Sequence, residues 1–483
     1  MTVSDAPMHN DARLARLHRE RQIYARVIAA MDYPEPSVFV HELSGERRTA
    51  LTPQALLDHW RRALEGALPE TANNLYVHVP FCKSICDFCN YKRLHVSSRA
   101  GLDEYVAFME REARLFAPAL RGAEFGGLYV GGGTPSVLGP DQLDRLLTAL
   151  FESFSFHEGA QKNFEFDPMV MTADRFAVLA RFGFTRFSFG IQSLDVEINR
   201  LHQRGAQTRS HLEKQFKLLG EHGADFANVD FLLGLSGTTP EQMLREIEEV
   251  MRAHQPHELC IYFIYPTAEY VAAHFAGDYA KFREFLAPFE TVVPAALAEL
   301  AASAGYRVGG EGRHAITLSR IGGTRRPART EEGLFYCDVP SSVHRPLNVL
   351  GLGDSARSRI FGRLHYRAEH DHGAPIPEAR YVGQETTLRD EMFSYIALVF
   401  RDGDELSRPL FARTFGVDIA AAFARPLAKL EALGAARLTA SAVTFARQER
   451  AARLADLLFF LPEERRSALG ELPRLDRPGA AAP

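Results

Sequence analysis

Strand-like and helix-like segments alternate along residues 75–303 of this 483-residue chain. Short runs rich in β-branched and aromatic residues predict strands, and longer runs with apolar residues at helical spacing predict helices. The strand-like segments are 75–81, 128–130, 163–166, 186–190, 227–232 and 258–264. The helix-like segments are 102–116, 140–154, 173–181, 210–222, 240–254 and 279–303. About six βα units in series predict an α/β fold, with a parallel sheet arranged as a partial (βα)6 barrel.

The chain also extends before this predicted barrel. Residues 1–72 are rich in charge and predict an N-terminal extension with helices at 11–30 and 53–67. The barrel, together with the strands and loops that follow it, is expected to occupy residues 73–380. A Gly/Pro-rich stretch at 375–377 is typical of a linker and marks the end of this part.

The last hundred residues predict a different kind of structure. Residues 381–472 are expected to form a mainly helical C-terminal domain, with one hairpin near 436–445. The tail at 473–483 is rich in Pro and Ala, and we expect it to be disordered.

Charge and hydropathy restrict the possible partners. The formal net charge is −5, from 56 basic and 61 acidic residues. Nucleic-acid binders usually carry a basic domain or stripe, so this balance argues against a nucleic-acid partner. No apolar run approaches the roughly 18 residues needed to cross a bilayer, and the N-terminal segment lacks the apolar core of a secretory signal. We therefore expect a cytoplasmic protein without a membrane partner.

The chain has five cysteines, and three of them, Cys82, Cys86 and Cys89, fall within eight residues. An odd number of cysteines with this clustering is not typical of a disulfide framework. In a reducing cytoplasm, a tight cluster of thiols indicates metal binding or redox activity. We interpret Cys260 as a small buried apolar residue of a strand, and we assign no role to Cys337.

The loop at 82–89 directly follows the first predicted barrel strand. Three thiolates on one loop could bind one face of a 4Fe–4S cluster, which normally has four cysteine ligands, so one iron would remain open. A zinc site is the alternative, with His95 as a fourth ligand, although no second Cys/His pair follows.

The C-x3-C-x2-C spacing after a barrel strand resembles the radical S-adenosylmethionine (SAM) superfamily. Further segments resemble one of its families, the oxygen-independent coproporphyrinogen III oxidases or HemN family, over roughly residues 70–465. These segments are 76–82, 131–136, 164–168, 183–193, 228–235, 351–356 and 388–438. The resemblance implies a 4Fe–4S cluster on the three clustered cysteines, with SAM bound at the open iron and cleaved to a 5′-deoxyadenosyl radical.

The resemblance also implies a set of residues that contact SAM. They are Tyr76, Gly132, Gly133, Thr134, Glu165, Gln192, Arg204 and Asp230. Taken without the resemblance, the glycines could form a tight turn, and the carboxylates could belong to internal ion pairs. Arg204 could be a solvated surface group.

Two features differ from the HemN pattern. Tyr91 stands where the oxidases have a further cysteine, and residues 309–314 do not match their late Asp-His-Phe stretch. These differences favour the class C methyltransferases and cyclopropanases, which resemble HemN and use two SAM molecules to modify an sp2 carbon. Alternatives are a coproporphyrinogen-type oxidative decarboxylase, an anaerobic heme-degrading methyltransferase, or a heme chaperone without turnover.

A two-SAM reaction needs a second cofactor position and a substrate contact. Leu232, Tyr262 and Tyr265 are candidates for the second SAM because they lie at strand ends, and Tyr91 is a candidate for touching substrate. For the two strand-end tyrosines, plain barrel packing is an equally good interpretation. The expected partners are a small-molecule substrate and an electron donor such as flavodoxin or ferredoxin, and we expect a monomer.

Overall fold

The structure, a computed structural model, describes nine ranges of the chain. They are residues 6–30, 49–68, 71–96, 98–311, 315–322, 346–369, 380–402, 405–446 and 450–461. The predicted linker at 375–377, the predicted tail, Cys337 and the last three residues of the stretch 309–314 lie outside these ranges.

Helices and strands alternate through the middle of the chain. The helices are α1 (Ala6–Ala30), α2 (Pro53–Glu65), α3 (Arg99–Phe116), α4 (Pro140–Ser153), α5 (Ala173–Arg181), α6 (Val196–Leu201), α7 (Arg209–Glu221), α8 (Pro240–His254), α9 (Ala268–Phe275), α10 (Tyr279–Ser303), α11 (Leu388–Asp402), α12 (Arg408–Phe415), α13 (Ile419–Ala422), α14 (Ala424–Ala432) and α15 (Arg450–Leu457). The strands are β1 (Thr49–Leu51), β2 (Ala72–Val79), β3 (Phe81–Cys82), β4 (Leu94–His95), β5 (Glu124–Gly132), β6 (Ser155–Phe166), β7 (Arg186–Gln192), β8 (Phe226–Leu233), β9 (Glu258–Phe263), β10 (Tyr306–Glu311), β11 (Ala315–Arg320), β12 (Leu347–Leu352), β13 (Arg357–Ile360), β14 (Leu364–Glu369), β15 (Arg380–Glu385), β16 (Glu405–Ser407), β17 (Ala436–Leu438) and β18 (Ala442–Phe445).

The six predicted barrel strands lie side by side in one sheet, in the order β2-β5-β6-β7-β8-β9, and every neighbouring pair is parallel. Their carboxyl ends therefore lie at one edge, which is where barrel enzymes place their sites. Helices α3, α4, α5, α7 and α8 contribute apolar side chains to the core that this sheet shares. The α/β fold with a partial (βα)6 barrel is confirmed.

The sheet is larger than the six predicted units. It has thirteen strands in the described part of the chain, in the order β1-β15-β14-β13-β12-β2-β5-β6-β7-β8-β9-β11-β10. Strand β12 joins the free side of β2 in parallel, and β13 to β15 continue from it as an antiparallel meander. The predicted border between residues 380 and 381 runs through β15, which belongs to this sheet.

The N-terminal helices attach to two different cores. On α2, Trp60 is fully buried in the core of the large sheet, and its indole N–H donates to the Tyr366 hydroxyl at 2.8 Å. On α1, Leu17 and Tyr24 pack instead into a second core formed with residues 392–461. This second core contains the C-terminal helices and a three-stranded sheet that includes the predicted hairpin of β17 and β18.

Within the nine described ranges, one helix, α10, is long and apolar enough to cross a membrane by length and composition. It contains two prolines, and its side chains Phe282, Leu286, Phe289 and Val293 are buried in the same core as the barrel strands. Its apolar face therefore has a partner within the protein.

Candidate active site at the cysteine loop

The three clustered cysteines lie on one loop at the carboxyl end of β2. Short strands β3 and β4 pair in parallel, and the amide of Val96 donates to the carbonyl of Cys82 at 3.0 Å. Within the loop, the amide of Cys89 donates to the carbonyl of Cys86 at 3.3 Å, which forms a tight turn. All three cysteines are half-buried. The loop therefore brings three thiols to the edge of the sheet where a barrel site is expected.

Burial raises the pKa of all three thiols, to about 11 for Cys86. Two interactions oppose this effect on Cys82: a hydrogen bond from the Thr134 hydroxyl, 3.5 Å from the sulfur, and the positive charge of Arg204. The Arg204 charge also acts on Cys86 and Cys89. Thiols with a raised pKa stay protonated at neutral pH, so metal binding at this loop must release protons.

The spacing of the thiols fits a cluster better than a single zinc ion. Four ligands around zinc, with Zn–S bonds of about 2.3 Å, bring the sulfurs to roughly 4 Å from one another. Among the described residues, only Asp87, His202 and His274 bring three ligand atoms within 4.8 Å of one another. Each thiolate of a 4Fe–4S cluster binds a different iron, so its sulfurs lie further apart. His95, the alternative zinc ligand, is exposed at the end of β4.

The glycines that end β5 allow the chain to pass close to the cysteine loop. A Cβ on Gly133 would lie 2.7 Å from the carbonyl oxygen of Pro80 and 2.9 Å from the sulfur of Cys82. Gly132 has a φ of +119°, which other residues rarely adopt. A Cβ on Gly131 would lie 2.7 Å from the Glu165 carboxylate. The absence of side chains at Gly131 and Gly133 therefore allows other parts of the protein to approach this turn closely.

Two carboxylates lie on barrel strands that are separated by one strand, β7. Glu165 on β6 accepts hydrogen bonds from the Tyr129 hydroxyl at 2.5 Å and the Gly132 amide at 3.1 Å, and burial raises its pKa. Asp230 on β8 accepts a hydrogen bond from the Asn228 side chain at 2.8 Å. Burial is also the main cause that raises the pKa of Asp230, to about 7, and the charge of Glu165 adds to it. A cationic group between these carboxylates would offset the cost of burying them.

Arg204 faces the same region from the segment after α6. Its guanidinium donates to the carbonyl oxygen of Gly190 at 2.6 Å, and it is half-buried, so it is not a solvated surface group. Its buried Nε atom has no hydrogen-bond partner within the described ranges. The neighbouring strand end at Gln192 has a φ of +66°, which interrupts the register with β8. Together these features leave a cationic donor available to an anionic ligand group.

The remaining predicted residues divide between the strands and the rim. Tyr76 is buried on β2 and hydrogen-bonds to the His78 ring at 2.8 Å, and Leu232 pairs with Tyr262 across β8 and β9. Tyr91 is 62% exposed and Tyr265 is 49% exposed. The rim tyrosines are therefore accessible to a substrate, whereas Tyr76 lies deeper in the barrel.

Sequence reasoning missed three polar side chains of the site: His78, Tyr129 and Asn228. Burial lowers the pKa of His78 to about 4, so this ring is neutral at physiological pH. A signal was present in the strand pattern, because His78 follows Tyr76 by two residues and therefore faces the same side of β2. The same spacing relates Asn228 to Asp230 on β8.

The resemblance seen in the motifs extends to known proteins. Residues 76–250 match the family model of the radical SAM superfamily. The chain is 32% identical over 194 residues to the oxygen-independent coproporphyrinogen III oxidase of Salmonella typhimurium, which covers 40% of this chain and 42% of that protein. The matched region is thus less than half of that relative's length. The Helicobacter pylori (strain J99) protein of the same name is 26% identical over 368 residues, 74% of this chain and 78% of that one.

The fold is also similar to a solved structure. The Escherichia coli coproporphyrinogen III oxidase (HemN) superposes with a TM-score of 0.65 and 22% sequence identity, covering 84% of this chain and 93% of that one. The matched family region contains the cysteine loop and the barrel strands up to β8. Residues 76–250 therefore match the radical SAM family model, and the chain is similar in sequence and fold to the oxygen-independent coproporphyrinogen III oxidases (HemN).

Proposed function

We propose that this chain is a radical SAM enzyme that abstracts hydrogen from a small organic substrate, with oxidative decarboxylation of the coproporphyrinogen oxidase type as its reaction. The observation that carries the proposal is the cysteine loop, whose three thiols lie beside Arg204 at the carboxyl edge of the barrel. The match of residues 76–250 to the radical SAM family model implies a 4Fe–4S cluster and SAM as cofactors. How many SAM molecules bind depends on the reaction, and it differs between the two candidate reactions described below.

The charged groups of the site match the groups of an amino-acid-like ligand. SAM carries an ammonium, a sulfonium and a carboxylate. Glu165 and Asp230 are carboxyl groups whose ionised form is disfavoured by burial, so a nearby cation would stabilise it. The Nε–H group of Arg204 has no acceptor among the described residues. We propose that the two acids face the cationic groups of SAM and that the arginine faces its carboxylate.

The proposed cluster and the protein residues have different roles in the reaction. When bound and reduced, the cluster would supply the electron for the reductive cleavage of SAM. The residues Cys82, Cys86 and Cys89 hold the cluster, and the glycine turn at Gly132 and Gly133 keeps this loop against the barrel. The barrel side chains orient the ligand and exclude water, which is the usual contribution of the protein in cofactor enzymes.

The relatives support decarboxylation as the reaction, because their names give coproporphyrinogen III as substrate. A second candidate, two-SAM methylation or cyclopropanation of an sp2 carbon, is favoured by Tyr91. This residue is 62% exposed beside the cysteine loop, where the resemblance leads us to expect a cysteine in the oxidases. Tyr262 at the end of β9 is 39% exposed, so its side chain is accessible to a second ligand at the rim.

A count of products tests the proposal. The protein is purified without oxygen, its cluster is reconstituted, and SAM, dithionite and coproporphyrinogen III are added. Decarboxylation predicts 5′-deoxyadenosine together with a vinyl product, and no S-adenosylhomocysteine. Equal amounts of 5′-deoxyadenosine and S-adenosylhomocysteine, formed with an sp2-carbon substrate, would contradict decarboxylation and support the two-SAM reaction.

Matched cysteine variants make the test specific. Cys86→Ser should abolish formation of 5′-deoxyadenosine, whereas Cys260→Ser, at a buried thiol on β9, should leave it unchanged. An intact cluster that yields neither product with any substrate would contradict the enzyme proposal. Stoichiometric heme binding under those conditions would favour a heme carrier instead. Flavodoxin or ferredoxin in place of dithionite tests the proposed electron donor.

A further inference from the structure

Three side chains with metal-binding atoms converge behind the cysteine loop. They are Asp87 in the loop, His202 directly after α6, and His274 on α9, and their ligand atoms all lie within 4.8 Å of one another. The Nδ1 atom of His202 lies 3.1 Å from one carboxylate oxygen of Asp87, and the Nε2 atom of His274 lies 2.6 Å from the other. Three separate parts of the chain thus meet at one carboxylate.

The hydrogen bonds of His202 fix which of its ring atoms carries a proton. Its Nε2 atom lies 3.0 Å from the carbonyl oxygen of Ser236, which can only accept, so Nε2 carries a hydrogen. If the ring is neutral, Nδ1 then presents a lone pair toward the carboxylate of Asp87, and two lone pairs repel each other. Either the fully buried ring carries a positive charge, or a cation lies between nitrogen and carboxylate.

The surroundings are those of a metal-bound histidine. Histidine ligands usually donate their second ring N–H to a backbone carbonyl or carboxylate, which is the bond that His202 makes to Ser236. The Tyr270 ring stacks on the ring of His202 and lies at a tilt of 45° to the ring of His274, with centroids 5.7 Å and 4.7 Å away. Its hydroxyl donates to the carbonyl of Gly234 and accepts from the amide of Ser236, so the stacking platform is itself held in place.

We propose that Asp87, His202 and His274 bind a divalent transition-metal ion, with zinc as the best-fitting metal. Two imidazoles and one carboxylate are a ligand set that zinc accepts, and three protein ligands leave a fourth position for water. The ion places a positive charge between the Nδ1 lone pair of His202 and the carboxylate of Asp87. It also ties the cysteine loop to α6 and α9, because Asp87 lies between two of the clustered cysteines. This site is separate from the cluster and does not depend on the proposed reaction.

Metal analysis of the intact protein tests the proposal. The chain is purified without oxygen from cells supplied with zinc, and zinc, iron and sulfide are measured per chain. We expect one zinc ion per chain in addition to the iron of the cluster. His274→Gln should lose that zinc, since losing a direct ligand weakens binding by more than the roughly 10–100-fold typical of outer-shell changes. His222→Gln is the matched control, because this half-buried histidine stacks on Phe176 and should leave the zinc unchanged.

Zinc X-ray absorption on the wild-type protein provides a readout that needs no variant. Zinc at the triad shows nitrogen and oxygen neighbours at about 2.0–2.1 Å, whereas zinc in the cysteine loop shows sulfur at about 2.3 Å. Nitrogen and oxygen ligation, with zinc lost in His274→Gln, supports the proposal. Sulfur ligation, zinc retained in His274→Gln, or no zinc above background in the wild type would overturn it. In that case the three residues form a charged hydrogen-bond network.

Discussion

Replacing Asp230 by asparagine tests whether burial of carboxylates in the barrel destabilises the fold. Burial is the main cause that raises the pKa of Asp230 from 3.8 to about 7. Each pKa unit corresponds to about 1.4 kcal/mol, so the ionised side chain costs the folded state at most about 4 kcal/mol. Asparagine keeps the oxygen that accepts a hydrogen bond from Asn228, which lies 2.8 Å from Asp230, and it carries no charge.

The sign of the effect follows from proton binding. Between pH 4 and pH 7 the folded chain keeps a proton on Asp230 that the unfolded chain has released, so the free energy of unfolding falls as pH rises. Above pH 7 both states are ionised and the cost stays constant. The linkage relation gives a cost of about 2 kcal/mol at pH 5 and about 4 kcal/mol at pH 8. Asp230→Asn should therefore gain about 2 kcal/mol more at pH 8 than at pH 5.

Urea unfolding under argon, without added SAM, measures this difference. Trp60 is the only tryptophan and is fully buried in the core of the large sheet, so its fluorescence reports on the unfolding of the barrel. Asp225→Asn, at an exposed position just before β8, is the control and should change stability by less than about 0.5 kcal/mol at either pH. An Asp230→Asn variant with the same stability change at pH 5 and pH 8 would refute the reasoning.

Three further predictions concern the glycine turn, helix α2 and the buried ion pair between Arg359 and Glu391. Gly133→Ala should reduce iron bound per chain after reconstitution, because its Cβ clashes with the cysteine loop, whereas Gly220→Ala, with open space around it, should bind iron normally. Trp60→Phe removes a buried hydrogen-bond donor and should lower the free energy of unfolding by about 1–3 kcal/mol in urea titrations. Glu391→Gln removes the buried carboxylate that pairs with Arg359 and should cost about 3–5 kcal/mol, seen as a lower melting temperature; an unchanged value would argue against this pair.

The sequence predicted the barrel well because its strands and helices are local patterns. All six predicted strands and the helices between them are present, and α5 begins at residue 173 and ends at residue 181, as predicted. The sequence also predicted strands after the barrel, within residues 73–380, but not that these strands extend its sheet. The strand β12 pairs with β2 from far along the chain, and β1 pairs with β15, and such long-range pairings leave no periodic signal in either segment.

The sequence predicted only those residues of the candidate site that belong to a recognisable motif. Spacing alone singled out the three clustered cysteines, and the resemblance added Glu165 and Asp230. The sequence could not show that Arg204 reaches the cysteine loop, because the arginine lies more than a hundred residues away and the intervening strands decide its position. It also could not show that His202 and His274 meet Asp87, since no spacing rule connects these three positions.

During biosynthesis, strand β2 can pair with β12 only long after β2 itself has been made. Asn348 on β12 donates to Asn73 on β2 across 275 residues of chain. At about 5–20 residues per second, a ribosome needs roughly 15–55 s to make that stretch, and during this time one edge of β2 has no neighbour. An open edge next to three thiols invites aggregation and oxidation. We therefore expect the nascent chain to require chaperone protection, and the cysteine loop to reach its final support only when synthesis is nearly complete.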